Sequence, residues 1–317
     1  MIAYSSKIVN ESSINLSKLI KLLGISRSKY YVWIHKADEL NHHNGKISKQ
    51  HWITPDEESA IVNFARSHIG SHRYYWQDGY RRIAFMGMDA DKFACSPSSV
   101  YRVLRKSGLL NKWQINGKSS KGTGFKQPRK PQQEWHTDIK FVVIGGIFYY
   151  LISILDGYSR YVVHHELRVN MKEYDVTLVV QRALEKFPLA RPKLISDNGS
   201  QYKAREFGEY LKSVELQHVR TSPSYPQSNG KIERFHRSIQ QECVNTTSMI
   251  NLEDTRKQID NYIDHYNNHR LHSALNYLPP VDYFTGQAEE KLNARKEKMA
   301  AAKEKRKIYW VEENNVA

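Results

Sequence analysis

The run Phe141-Val-Val-Ile-Gly-Gly-Ile-Phe-Tyr-Tyr-Leu-Ile-Ser-Ile-Leu155 decides the fold of this chain. β-Branched and aromatic residues fill both halves of the run, and Gly145-Gly146 between them predicts a hairpin turn. A third such run, Tyr161-Val-Val163, follows. Helix-like and strand-like patterns then alternate, over about 173–187, 193–196, 205–212, 216–221 and 228–244. This order indicates an α/β fold with a mixed sheet on which helices pack.

Two helical units are predicted before the sheet. In residues 13–36, leucines recur at helical spacing, Gly24 interrupts them, and Ser26 can cap a second helix that carries Arg27 and Lys29. This is the pattern of a helix–turn–helix unit, whose second helix normally enters the major groove. A small interaction hairpin is the alternative.

The second unit covers residues 51–110. Thr54-Pro55 with Glu57 predicts a capped helix start, and Ser96-Pro97 predicts another. The helix that begins there ends in a basic face formed by Arg102, Arg105 and Lys106. Three short helices that end in a basic one are typical of a helix–turn–helix or winged-helix-like unit, although a merely solvated basic face has the same composition.

Charge and composition indicate the class of partner. The 317 residues include 48 Lys plus Arg against 33 Asp plus Glu, a formal net charge of +15. Such an excess fits a polyanionic partner, because neutralised phosphates release counterions. A hydrophobic fraction of 40% excludes wholesale disorder, and two cysteines fit a reducing cytoplasm rather than a disulfide scaffold. No apolar run approaches the roughly 20 residues that span a bilayer.

Six segments follow from these patterns. Residues 111–133 contain six cations and no acidic residue, which indicates a flexible basic linker. The predicted order is a helix–turn–helix unit over 1–50, a second unit over 51–110, the linker over 111–133, the α/β core over 134–248, a helical extension over 249–290, and a charged, solvated tail over 291–317.

Three carboxylates occupy positions that favour chemistry. Asp138 lies inside the apolar first strand, Asp197 follows the strand at 193–196, and Glu233 lies on the last long helix of the core. A carboxylate inside a strand is costly unless it is paired or binds a metal. Strand ends and the adjoining helix meet at one edge of such a sheet, so these acids can share a cavity. Taken singly, each also has an ordinary role, as an edge-strand residue, a turn former or a solvated helix residue.

The ligand type indicates which metal such a site would take. Carboxylate oxygens without thiolates favour Mg²⁺ or Mn²⁺ over zinc. Two such ions, about 4 Å apart, activate an attacking oxygen and stabilise a leaving oxygen in phosphodiester displacement. We therefore expect two ions per site.

The segment from Trp135 to about Pro280 resembles the integrase core of DDE transposases and retroviral integrases. The resemblance is carried by Trp135-His-Thr-Asp138, by Ser196-Asp-Asn-Gly-Ser-Gln-Tyr202 and by Ser222-Pro-Ser-Tyr-Pro-Gln-Ser-Asn-Gly-Lys-Ile-Glu-Arg-Phe-His-Arg237. The family's triad is Asp, Asp and Glu with about 35 residues between the last two, and 35 residues separate Asp197 from Glu233. Tyr266-Asn-Asn-His-Arg-Leu-His-Ser-Ala-Leu275 is similar to the ending of bacterial insertion-sequence-3 type transposases.

The resemblance implies an RNase H-like mixed-sheet catalytic core preceded by all-α helix–turn–helix DNA-binding units. It implies a DNA transposase that binds the terminal inverted repeats of its element. Metal-dependent strand cleavage and strand transfer would use Asp138, Asp197 and Glu233 as catalytic and metal-binding residues. The implied partners are double-stranded DNA, further copies of the chain on paired ends, and a product of an upstream reading frame, in the bacterial cytoplasm at the nucleoid.

Further residues are predicted to contact DNA or to support the triad, and two alternatives stay open. The alternatives are a domesticated or inactive DNA-binding protein with an integrase-like fold, and an RNase H-like nuclease without strand transfer. The predicted DNA contacts are Arg27, Lys29, Arg102, Arg105, Lys106, Lys126, Arg129, Lys130, Asn198, Gln201, Lys231, Arg234 and Arg237.

Overall fold

A computed structural model describes residue 12 and residues 14–35, 49–71, 79–110, 127–221 and 229–316. The chain divides into two compact units, residues 1–49 with 312–317, and residues 50–311. No helix in the described ranges is long and apolar enough to cross a membrane.

The first unit contains the two predicted N-terminal helices, α1 (Leu16–Leu22) and α2 (Arg27–His35). Gly24 adopts a φ of +66° between them, a left-handed conformation that glycine reaches without strain. The Ser26 hydroxyl accepts a hydrogen bond from the Lys29 amide, which confirms the predicted cap. The helical pair expected from the sequence is therefore present.

The larger unit, residues 50–311, begins with three helices: α3 (Pro55–Ser71), α4 (Tyr80–Asp89) and α5 (Pro97–Lys106). These three helices are called the helical unit below. Thr54 and Glu57 exchange the two hydrogen bonds of a capping box, and Ser96 caps α5. One apolar cluster joins the three helices, and its fully buried members include Ile61, Val100 and Leu104.

A five-stranded mixed sheet follows, which confirms the predicted fold class. Its strands are β1 (Glu134–Ile144), β2 (Ile147–Asp156), β3 (Val162–Arg168), β4 (Lys193–Ser196) and β5 (His218–Arg220), in the order β3-β2-β1-β4-β5. β1, β2 and β3 pair antiparallel, whereas β4 runs parallel to both β1 and β5. Gly145 and Gly146 both have positive φ, as the tight turn of the β1–β2 hairpin requires. β5 is shorter than predicted because Leu216 still closes the preceding helix through its amide.

Helices cover both faces of the sheet, because alternate residues of β2 point in opposite directions. Ile152 and Ile154 pack under one group of helices, and Leu151 and Leu155 under the other. The first group is α6 (Glu173–Lys186), α7 (Ser200–Lys203) and α8 (Arg205–Ser213). The second is α9 (Gly230–Ile239), which continues into a π-helical turn over Gln240–Val244, and α10 (Leu252–Asn268).

The helical extension predicted over 249–290 is part of this core. Ile259, Tyr262 and Tyr266 of α10 belong to the same buried cluster as Leu155 of the sheet. A short helix, α11 (Pro280–Phe284), follows, and the Phe284 ring stacks on Tyr161 with the ring centroids 4.3 Å apart. The predicted boundary at residue 248 therefore cuts through one apolar layer.

The prediction of a solvated tail after residue 290 is wrong. Residues Ala288–Val316 form one helix, α12, and several of its side chains contact α3 and α4. Arg306 is 8% exposed and pairs with Glu57, and Arg295 is 5% exposed and pairs with Asp89. A highly charged helix is held here by ion pairs rather than by an apolar stripe.

Candidate active site

Asp138 and Asp197 lie side by side on neighbouring parallel strands. The register pairs Trp135 with Leu194 and His136 with Ile195, so its continuation places Asp138 opposite Asp197, the first residue after β4. Asp138 Oδ1 accepts the Ile139 amide at 2.9 Å, and Asp197 Oδ1 accepts the Gly199 amide at the same distance. The sheet thus brings two of the three predicted acids to one place.

The phenol of Tyr202 lies close enough to Asp138 and Asp197 for both negative charges to affect its pKa. Its hydroxyl is buried 3.2 Å from Thr137 Oγ1. Burial raises the pKa of this phenol, and the negative charges of Asp138 and Asp197 raise it further. The phenol therefore stays protonated at neutral pH.

His236 also belongs to this site. Its Nδ1 lies 3.4 Å from Asp138 Oδ2, and its Nε2 lies 3.2 Å from the hydroxyl of the fully buried Ser153. The imidazole thereby links α9 to β1 and β2 and fixes one oxygen of Asp138. Sequence reasoning assigned His236 no role. The available signal was its position three residues after Glu233, on the same helix face.

Glu233 is exposed on α9, one turn before His236. Residues three apart on a helix are neighbours, so Glu233 stays a predicted member of this site, although its side chain is exposed and that of His236 is buried. Among the described residues, no group of three or more histidine, cysteine, aspartate or glutamate side chains is arranged to hold a metal ion. The geometry supplies two adjacent carboxylates and a third on the adjoining helix, without a closed three-ligand cluster.

Of the other residues predicted near the triad, three have side chains that contact other groups of the protein, and two are exposed to solvent. The Asn198 amide donates to the carbonyl of Thr221 and ties the ends of β4 and β5 together, and the Gln201 side chain lies against Gly199. Lys231 Nζ donates to the Gly157 carbonyl at 2.9 Å. Arg234 and Arg237 are exposed on α9.

The predicted DNA contacts upstream of the linker lie on two helices, α2 and α5. Arg27 and Lys29 are exposed on α2, and Arg102 and Arg105 are exposed on α5. Lys106 differs from its neighbours, because its ammonium lies 2.7 Å from a carboxylate oxygen of Glu58. Part of its charge is therefore neutralised within the protein.

The basic linker is only partly visible, and Lys126 lies outside the described residues. Arg129 and Lys130 line an open cavity of about 930 Å³ together with Arg191 and Lys193. This cavity lies where β1 and β4 begin, whereas Asp197 follows the end of β4. It is therefore separate from the carboxylate site.

Comparisons with known proteins agree with this architecture. Two family models, both described as an integrase core domain, match residues 128–226 and 214–280. The chain is 25% identical over 286 residues to the Escherichia coli transposase InsD for insertion element IS2A/D/F/H/I/K, an alignment that covers 86% of this chain and 92% of the relative. It is 26% identical over 160 residues to the Escherichia coli putative transposase InsK for insertion sequence element IS150, covering 50% of this chain and 56% of the relative.

Solved structures show a weaker likeness. A simian T-cell lymphotropic virus intasome in complex with PP2A regulatory subunit B56 gamma aligns with a TM-score of 0.45 and 16% identity, covering 69% of this chain and 73% of the matched chain. The HTLV-2 integrase catalytic core domain in complex with magnesium aligns with a TM-score of 0.40 and 18% identity, covering 49% of this chain and 97% of the matched chain.

Proposed function

We propose that this protein, a DNA transposase with an RNase H-like integrase core, cleaves and joins DNA strands at a site formed by Asp138, Asp197 and Glu233. The observation that carries the proposal is the register of β1 and β4, which sets Asp138 beside Asp197. The His236–Asp138 contact, which joins the helix carrying Glu233 to β1, supports the inclusion of Glu233.

The donor set fits a hard divalent cation. Asp138 is 19% exposed at its side chain, and ionised carboxylates offer only oxygen acceptors. Asp138 and Asp197, joined by Glu233, would hold Mg²⁺ or Mn²⁺, and we propose two ions per site. The ions would supply activation of the attacking oxygen and stabilisation of the leaving oxygen. The protein's own contribution is orientation, through His236 and the backbone amides of Ile139 and Gly199.

The reaction has two balanced steps. Water attacks a phosphodiester at the element end, a P–O bond forms as another breaks, and a 3′-hydroxyl is released. That hydroxyl then attacks a phosphodiester of target DNA. Its oxygen forms a new P–O bond, the bond from the same phosphorus to the 3′-oxygen of the target strand breaks, and the target strand is left with a free 3′-hydroxyl. No step requires a covalent bond between protein and DNA.

The partners follow from charge and from the reaction. The net charge of +15 and the exposed cations of α2 and α5 support binding to double-stranded DNA through phosphates. Joining two element ends requires two DNA segments in one complex, which favours a homo-oligomer on paired ends. We place this activity in the bacterial cytoplasm at the nucleoid, with an upstream reading-frame product as a further partner.

The variant Glu233→Gln tests the proposal. The residue is exposed, so the substitution should leave the fold intact while it removes one charge from the divalent site. Strand cleavage and joining in Mg²⁺ should fall by about two to four decades, the loss typical of an electrostatic contributor. DNA affinity should be retained. Asp138→Asn and Asp197→Asn should behave alike, and the double variant should be little worse than either, because the residues act as a unit.

The matched control is Glu206→Gln, an exposed carboxylate on α8, which packs on the other face of the sheet. It should cleave and join like the wild type. Wild-type rates in Glu233→Gln would refute the assignment. A wild-type protein that binds element-end DNA but never cleaves it would indicate a DNA-binding relative, and cleavage without joined strands would indicate a nuclease.

A further inference from the structure

Basic side chains converge beside the candidate active site, at the turn between β2 and β3. Arg160 and Lys231 both donate hydrogen bonds to the carbonyl of Gly157, the Lys231 bond at 2.9 Å. Gly157 itself lies against the ring of His136, with room for no side chain: a Cβ there would approach His136 Nε2 to 3.0 Å. The turn and the start of α9 are thus held together by two cations on one carbonyl.

The carboxylates near this turn are already engaged. Asp156 accepts the amides of Gln132 and Ser159 at 2.7 Å, and the Ser159 hydroxyl at 2.6 Å. Glu242 is held by Arg270 through two contacts of 2.6 Å. In the described part of the chain neither forms an ion pair with Arg160 or Lys231. Asp156 acts on both cations at longer range and Glu134 acts on Lys231, so the turn keeps part of its positive charge for a ligand.

The region has a strongly positive potential. The pKa of His272 falls to about 3, first because it is buried and then because Arg270, Arg160, Arg234 and Arg82 surround it. The pKa of Lys231 falls to about 8 through burial and the nearby Arg160. Arg160, Arg234 and Arg82 bring this charge from three separate segments, whereas the charge of Arg270 is paired with Glu242.

Two buried polar side chains lie next to the turn. His136 is 2% exposed and Asn229 is 5% exposed. They face each other, and the cations of Lys231 and Arg160 lie close to the His136 ring. The turn, the start of α9 and β1 therefore meet at one place.

We infer that Arg160, Lys231 and Arg234 form a binding site for one backbone phosphate of the DNA strand that enters the active site. His136 lies two residues before Asp138, which is about 7 Å along β1. A phosphate at the turn therefore lies close to the phosphodiester at the carboxylates, and it fixes the register of the strand. This inference rests on the proposed function, since it names how that site holds its substrate.

Replacement of single phosphates by neutral methylphosphonates tests the inference. The probe is a duplex that ends in the terminal inverted repeat of the element encoding this chain, and binding to the full chain is measured by fluorescence anisotropy without divalent metal. At one position near the cleaved bond, neutralisation should weaken wild-type binding about tenfold, as expected for one charge-assisted hydrogen bond.

Arg234→Gln, at an exposed position, and Arg160→Gln, at a half-buried one, should each weaken binding to unmodified DNA by a similar factor and reduce the salt slope by about one. In these variants, neutralisation of the critical phosphate should lower the DNA affinity further by less than about twofold, because the cation that binds this phosphate is already missing. Lys212→Gln, an exposed cation on α8, is the matched control and should retain the full tenfold loss.

If every neutral phosphate weakens DNA binding by the variants as much as it weakens binding by the wild type, the inference is wrong, even for a protein that cleaves and joins DNA. A phosphate-specific loss that disappears in Arg234→Gln would support the site, even if the wild type never cleaves. Failure of the wild-type chain to bind this duplex at all would overturn both proposals.

Discussion

Replacement of His236 by glutamine should weaken the affinity of the active site for divalent metal. The imidazole spans two contacts, 3.4 Å from Nδ1 to Asp138 Oδ2 and 3.2 Å from Nε2 to Ser153 Oγ. A single glutamine amide cannot reproduce both contacts from the same backbone position. Asp138 then keeps only the hydrogen bond of its Oδ1 with the Ile139 amide, and its second oxygen loses its fixed direction.

The size of two effects follows from the structure. Ser153 is fully buried, so loss of its partner should cost about 1–3 kcal/mol of folding stability. Loss of a group that orients a metal ligand typically lowers metal affinity about 10- to 100-fold. His236→Gln should therefore shift the metal midpoint by one to two decades while the protein stays folded.

Two measurements separate these effects. Mn²⁺ binding by electron paramagnetic resonance should show the weaker site directly, and strand cleavage against Mg²⁺ concentration should show the same shift. At saturating metal, cleavage should approach the wild-type rate. His164→Gln is the control, because it removes a comparable 3.1 Å contact with a different carboxylate, Glu166. An unchanged metal midpoint in His236→Gln would refute the positioning role, whatever the rate.

Three further outcomes are expected. Arg102→Gln combined with Arg105→Gln should weaken DNA binding and flatten its salt slope by about two, and an unchanged slope would place DNA recognition elsewhere. Arg306→Met should lower the free energy of unfolding in urea by about 2–4 kcal/mol, because it leaves a partly buried carboxylate unpaired, and an unchanged value would mean that α12 is not docked. The pKa values of His265 and His272 fall from 6.5 to about 4 and about 3, mainly through burial. Because the unfolded chain takes up these protons first, their contribution is complete above pH 6.5 and declines as pH falls towards 4, by up to about 1.4 kcal/mol per pH unit for each histidine. Equal stability at pH 7 and pH 5 would contradict this assignment.

The elements that the sequence predicts well are those with local signals. Gly145-Gly146 requires positive φ at both residues, and the Ser96-Pro97 and Thr54-Pro55 starts carry their own caps. The strand over 193–196 is found with the predicted bounds. Asp138 and Asp197 could also be identified from the sequence as candidate site residues, because a carboxylate inside or just after an apolar strand is unusual in itself.

Contacts between distant segments could not be predicted from local sequence patterns. His236 appears in the sequence as one residue of a basic helix, and its role depends on packing against strands more than 80 residues earlier. Docking of α12 was missed because the helix has no apolar stripe. Its buried cations, Arg295 and Arg306, are 11 residues apart, which is about three helical turns and therefore one face. That spacing was the only local signal of a docked helix.

Docking of α12 joins the helical unit to the segment that follows α10 in the core. Arg295 donates to Asp89 at the end of α4 and to the carbonyls of Asn276 and Tyr277, after α10. The Phe85 ring of α4 stacks on Tyr277 with the ring centroids 4.9 Å apart. Arg82 lies one turn earlier on α4, and its charge acts on His272 in the basic region beside the active site. A cation of the helical unit therefore acts on the buried polar groups of Glu242 and His272. Docking of α12 and the stacking of Phe85 on Tyr277 thus pack the unit that carries the basic face of α5 against the segment that follows α10.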